Sequence, residues 1–211
     1  GKTYFNERPI STQQTAFSFV SQLRSWMPRE IGGVIWFGND DANMVAYTPV
    51  YCGNTVQPEC YNTPGADAVT FSMKNAYWVC NWVSNMVYPR YSLMFPSLKA
   101  VRDSLDQSYF AQQAEVEARA VELCKTSEEE AVKYLNTYSN TKAQQMLERW
   151  KELAFYLIVK YNDMAVKPDQ NGKFLRTKEG LGATVKRVGS AAAFQKKLAE
   201  TTGDKFLVPT E

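Results

Sequence analysis

From Pro96 to Tyr161 apolar residues return every three or four positions. Leu98, Val101, Leu105, Tyr109, Val116, Ala120 and Leu123 form a first series; Ala143, Met146, Leu147, Trp150, Leu153, Leu157 and Tyr161 carry a second. This period lays an apolar stripe along an α-helix and fits no β-strand. Between the two series, Ser127 and Glu130 make a capping-box pattern, and Pro96 suits the first turn of a helix. Residues 96–162 are therefore predicted to form a long helical hairpin, and the rest of the chain must supply what covers its stripes.

Upstream, Ser11 and Gln14 form another capping-box pattern ahead of Ala16, Phe19, Val20, Leu23 and Trp26, which predicts a helix over 12–27. Gly32-Gly33 then introduces the run Val34-Ile35-Trp36-Phe37, a polar turn over 38–43 and a second run from Met44 to Tyr51, which together read as a β-hairpin. Both runs are apolar on alternating or both faces, as in strands of a larger sheet covered by other layers. Residues 53–71 hold Gly53, Pro58, Pro64 and Gly65 and read as a long loop. The stretch 75–88, with Ala76, Val79, Cys80, Val83 and Val87 on one side, reads as a largely buried helix ended by Pro89. After Asp163 the chain turns polar and basic, with a turn at 169–172 and a short helix near 190–200.

No repeat or linker divides these parts, so the expected organisation is one α+β unit over 1–211. Within it, 1–95 is the sheet-and-helix part, 96–162 the helical hairpin and 163–211 a polar tail.

The chain contains no histidine, which excludes a Ser-His-Asp triad or a Cys-His pair within it. A formal charge of +2 argues for neither nucleic acid nor an anionic membrane as partner. The longest apolar stretches fall far short of the roughly 20 residues a membrane span needs. The cysteines lack C-x-x-C spacing, and a zinc site without histidine would need all four of them, so no metal is expected. Cys52 and Cys60 flank a Gly- and Pro-containing loop; they read either as a disulfide in an exported protein or as unpaired thiols. Cys80 reads as a small core residue. Trp36, Tyr47, Tyr51, Tyr77, Trp78 and Trp82 read as packing where a helix meets a sheet, with a carbohydrate or aromatic-ligand platform as the sharper alternative.

The densest signature is Val34-Ile35-Trp36-Phe37-Gly38-Asn39-Asp40-Asp41, followed by Tyr47-Thr48-Pro49-Val50-Tyr51-Cys52-Gly53. Ahead of it stand Glu7-Arg8-Pro9-Ile10-Ser11, Gln22-Leu23-Arg24 and Met27-Pro28. In order and spacing these segments, over roughly residues 5–95, resemble the C69 family of cysteine dipeptidases. The resemblance implies an N-terminal-nucleophile hydrolase with a four-layer αββα core, the hairpin near 34–51 forming part of that sandwich. It also implies an N-terminal cysteine whose thiol attacks the peptide carbonyl while its own α-amine serves as base, a mechanism that needs neither histidine nor a cofactor.

The first residues, Gly1-Lys2-Thr3-Tyr4-Phe5-Asn6, show neither an initiator Met nor the layout of a secretion signal, so the natural protein is expected to extend upstream. The chain is then a C-terminal portion, inactive alone, whose partners are the N-terminal half and, in the full-length protein, a dipeptide. A homo-oligomer formed through the helices is a further expectation. The family's occurrence in cell envelopes implies a periplasmic or extracellular protein and leaves the cytoplasm open. The reading from another class is a non-catalytic α+β interaction module whose helical hairpin binds a protein.

The resemblance marks Arg8 as a supporting residue, able to lower the pKa of a nearby thiolate or to grip a substrate carboxylate. The bland counterpart is a salt bridge fixing the chain. Asp40 and Asp41 offer carboxylates to a substrate's α-amine or to acid–base chemistry, and Asn39 an amide to an oxyanion hole. Gly-Asn-Asp-Asp is equally what a hairpin turn demands.

Overall fold

A computed structural model describes residues 3, 5, 9–189 and 191–207. The chain divides into two compact units, Gly1–Leu157 and Ile158–Glu211. The first opens on a three-stranded antiparallel sheet of order β1-β2-β3, formed by Phe17–Leu23, Gly33–Asn39 and Thr48–Tyr51, with the short helix α1, Arg29–Gly32, between β1 and β2. Helices α2 (Ala76–Val87), α3 (Tyr91–Cys124) and α4 (Glu128–Tyr161) follow. The architecture is α+β, as the sequence predicts.

The helix predicted over 12–27 is a strand. Phe17–Leu23 pairs with Gly33–Asn39 through seven consecutive residues, Phe17 opposite Asn39 and Leu23 opposite Gly33. Apolar residues at 16, 19, 20 and 23 satisfy a helical period, but aromatic and β-branched residues also suit a pleated surface, and pairing with β2 decides between them. Ser11 caps no helix; its hydroxyl donates to Asp41 instead. The second run of the hairpin is likewise shorter than predicted. Met44, Val45 and Ala46 are buried in the loop before β3, and a Cβ on Gly38 would stand 2.3 Å from the Val45 side chain, so only glycine lets that loop close on β2.

The sheet has two unlike faces. On one, Val34 and Trp36 are buried. Helix α3 covers this side, Phe110 meeting Trp36 edge-on at 4.6 Å and Glu117 accepting from the Tyr51 hydroxyl at 3.1 Å. On the other, Phe17, Phe19 and Leu23 of β1 are 55%, 55% and 75% exposed beside half-buried Ile35 and Phe37.

The predicted hairpin of long helices is present, with earlier and more continuous helices than expected. Helix α3 starts at Tyr91, which puts Pro96 inside it and not at its first turn. The Ser127 cap forms, its side-chain oxygen accepting from the Glu130 N–H at 3.2 Å. Helix α4 then runs unbroken through Asn140. Asn136 and Asn140 face sideways and accept from the N–H groups of Thr55, Val56 and Glu59, which fastens the 53–60 loop to α4. Leu98, Leu105, Tyr109 and Val116 of α3, with Leu135, Met146, Leu147, Trp150 and Leu157 of α4, form the core. Each such side chain contributes about 1.5–3 kcal/mol on burial.

The second unit holds two-residue strand pairs, Ala165–Val166 (β4) with Lys186–Arg187 (β7) and Asp169–Gln170 (β5) with Lys173–Phe174 (β6), and helix α5, Ala192–Thr202. The predicted turn at 169–172 is the β5–β6 hairpin, with Asn171 and Gly172 at positive φ. Among the described residues no helix is long and apolar enough to cross a membrane.

Candidate functional site

The turn after β2 gathers most of the sequence-predicted polar residues. Asp40 takes φ 70°, a left-handed conformation that aspartate tolerates better than most residues. The reversal drives its carboxylate inward, where it is fully buried. One oxygen accepts from the Asn81 amide at 2.8 Å and the other from the Ser84 hydroxyl. Burial pushes the Asp40 carboxyl above the ordinary aspartate value, and its hydrogen bonds to Ser84, the Asp41 backbone and Asn81 pull it back in part. Asn81 and Ser84 lie one turn apart on α2, so Asp40 fastens that helix to the end of β2.

Asp41 points elsewhere. It is 1% exposed, and its Oδ1 accepts from the Ser11 hydroxyl and, at 2.9 Å, from the Asn43 N–H. It lines a cavity of about 390 Å³ together with Ser11, Asn43, Met44, Tyr88 and Tyr91. Adjacent Asn39 is half-buried, and its enclosed Oδ1 meets no donor among the described residues. Arg8 lies outside the described residues.

A second polar cluster was not anticipated. Arg24, at the end of β1, pairs with Glu117 of α3 at 2.5 Å, each side chain only 9% exposed. Arg24 also donates to the carbonyl of Ile31 at 3.2 Å, while Tyr51 and Gln113 donate to the other Glu117 oxygen at 3.1 and 2.9 Å. Gln113 reaches Gln22 at 2.7 Å. Gln22 and Arg24 are the ends of the Q-x-R segment noted in the sequence; their partners, 91 and 93 positions away, left no local signal. Asn81 and Ser84 were missed as well, though two polar residues three apart inside an apolar helix were the available clue.

Of the two readings of Cys52 and Cys60, the structure has the unpaired thiols: all four cysteines are free, Cys52 exposed and Cys60 buried. Cys52 follows the last residue of β3 and lies against Gly33, where a Cβ would stand 2.8 Å from its sulfur. Cys60 lies in a turn packed inward, and the two line separate cavities of about 930 and 660 Å³. Burial pushes the Cys60 thiol up to about 12 and the Cys80 thiol well above its usual value. A thiol reagent should accordingly label Cys52 in the native protein and reach Cys60 and Cys80 only after denaturation. A native mass lower by two hydrogens would instead restore the disulfide.

The aromatic residues differ in burial. Trp36 and Tyr51 are buried. Tyr77 and Trp78 pack edge-on at 5.6 Å and remain half-buried, with the Trp78 indole N–H donating to the Asp67 carbonyl at 2.9 Å.

The family model of peptidase family C69 matches residues 2–104, the segment that holds the sheet, the Asp40–Asp41 turn and Arg24. No curated protein matches the chain.

Proposed function

The chain belongs to peptidase family C69 through residues 2–104, and on that premise we propose that it is the C-terminal portion of a cysteine-type dipeptidase whose nucleophile lies in an upstream half. The family match is the observation that carries the reading, since it makes the protein a peptidase. In the proposed chemistry the thiolate of an N-terminal cysteine attacks the peptide carbonyl, and the α-amine of the same residue takes the thiol proton and returns it to the leaving amine. Water then hydrolyses the thioester. Cys52, Cys60, Cys80 and Cys124 are internal, carry no α-amine, and do not fill that role.

The division of labour also accounts for the uncovered sheet face. Phe17, Phe19 and Leu23 would lose water to a second layer, and the upstream half supplies that layer in an αββα sandwich. Arg8 then has its supporting role near the thiolate or the substrate carboxylate. Asp40 acts at a distance by holding the turn, and Asp41 is the carboxylate placed beside a cavity.

The purified 211-residue chain should show no hydrolysis of dipeptides, and a longer protein bearing the upstream cysteine should cleave them. Turnover by the 211-residue chain itself would sink the assignment of the chemistry to the missing half.

A further inference from the structure

Resting on the peptidase reading, we propose that the cavity beside Asp41 is a subsite for the free α-ammonium group of a peptide substrate. Asp41 is almost wholly withdrawn from water, and its Oδ1 accepts from the Ser11 hydroxyl and from the Asn43 N–H. Among the described residues nothing donates to Oδ2, and no cation pairs with the carboxylate. A carboxylate has about four lone-pair positions, so Asp41 keeps acceptor capacity at the cavity that it lines. The group that matches a carboxylate in that place is a cation carrying N–H donors.

The walls fit the same ligand. Tyr88 and Tyr91 line the cavity, and tyrosine rings attract an ammonium through the negative face of their π-system. Tyr91 is held in place, its hydroxyl accepting from the Asn43 amide at 2.8 Å and its ring stacked on Phe95 at 4.5 Å. Arg102, which donates to the Asn43 backbone oxygen at 2.6 Å, is paired with Asp103 at 2.8 Å and not with Asp41. Pro9 and Met44 add apolar surface, and a volume of about 390 Å³ is at the small end for a ligand site, so the ammonium should come on a short aliphatic residue. An amine of this kind is what separates a free dipeptide from an internal stretch of protein, so the subsite would select for short substrates.

The test is titration of the 211-residue chain, followed by NMR and calorimetry, with dialanine, N-acetyl-dialanine and Nα-acetyl-lysine. Dialanine should bind and shift resonances of Ser11, Asn43, Tyr88 and Tyr91. N-acetyl-dialanine, which lacks the cation, and Nα-acetyl-lysine, which carries it on a long arm, should bind about tenfold more weakly or not at all. Asp41→Asn should abolish dialanine binding, and Tyr88→Ala should weaken it several-fold while leaving every hydrogen bond of Asp41 intact. Equal binding of dialanine and its acetylated form, or no binding of dialanine, overturns the subsite, as does unchanged binding in the Tyr88 variant. Each of those results leaves the peptidase assignment standing, because that assignment is read from turnover by the longer protein.

Discussion

Replacing Glu117 by alanine should destabilise the protein by roughly 3–5 kcal/mol, the loss typical of breaking one side of a buried ion pair. The pair is enclosed, with both side chains 9% exposed, and the substitution strands more than one group. Arg24 keeps its charge inside the fold with, among the described residues, only the carbonyls of Ile31 and Gly32 as acceptors, and the Tyr51 hydroxyl loses its bond to Glu117. At the few degrees per kcal/mol usual for a chain of this size, the midpoint of thermal unfolding should fall by roughly 6–20 °C. Glu117→Gln should fall between, since an amide oxygen can still accept from Tyr51 but brings no charge.

The informative control is the double variant Arg24→Leu/Glu117→Leu. A buried pair often contributes little over an apolar pair of similar volume, so removing both charges should recover most of the loss. A loss under about 1 kcal/mol for Glu117→Ala would mean that water reaches Arg24, and the network would then be surface electrostatics. The cluster matters to function because it ties the end of β1 to α3, and β1 carries the face on which the proposed upstream layer would rest.

What the sequence revealed and what it concealed follow from the range of the forces involved. Helices α2, α3 and α4 were legible because their stripes repeat within each helix, and β2 because Val34 to Phe37 is bounded by glycines. Strand β1 was not, since Ala16, Phe19, Val20 and Leu23 fit either period and the choice is made by residues 33–39 across the sheet. Met44 to Ala46 look like strand because they are apolar, but they are buried by loop packing on Gly38. The candidate site shows the same limit. The Asp40–Asp41 pair could be picked out, and a turn was the sounder local explanation. Which of the two carboxylates is tied off was decided by Asn81 and Ser84, 41 and 44 positions away.

Asp40 should show the other large effect, and its dependence on pH separates charge from geometry. Asp40→Ala leaves the Asn81 amide without its Asp40 acceptor, leaves the Ser84 hydroxyl only its 3.1 Å bond to the Asn81 carbonyl, and puts alanine at φ 70°, where its Cβ is crowded. The unsatisfied amide costs about 1–3 kcal/mol and the left-handed backbone about 1–2 more, so a loss of roughly 2–5 kcal/mol is expected. Asp40→Asn keeps the shape and the tolerance for that φ, and gives up one acceptor and the charge. The folded state raises the Asp40 pKa through burial, so folding is favoured while the group is protonated and loses that favour as pH rises through the folded value. Asparagine has no such titration. Urea unfolding of both proteins, from below the ordinary aspartate range of about 4 up to neutrality, should show the wild type most favoured at the acid end and losing ground to Asp40→Asn as pH rises. Asp106, also pushed up by burial, adds a slope of the same sign to both proteins and cancels in the comparison. A difference between the two that is flat with pH, or that widens in favour of the wild type toward neutrality, would show that the ionised carboxylate is the form the fold prefers. The bonds from Ser84 and Asn81 would then outweigh the cost of burial.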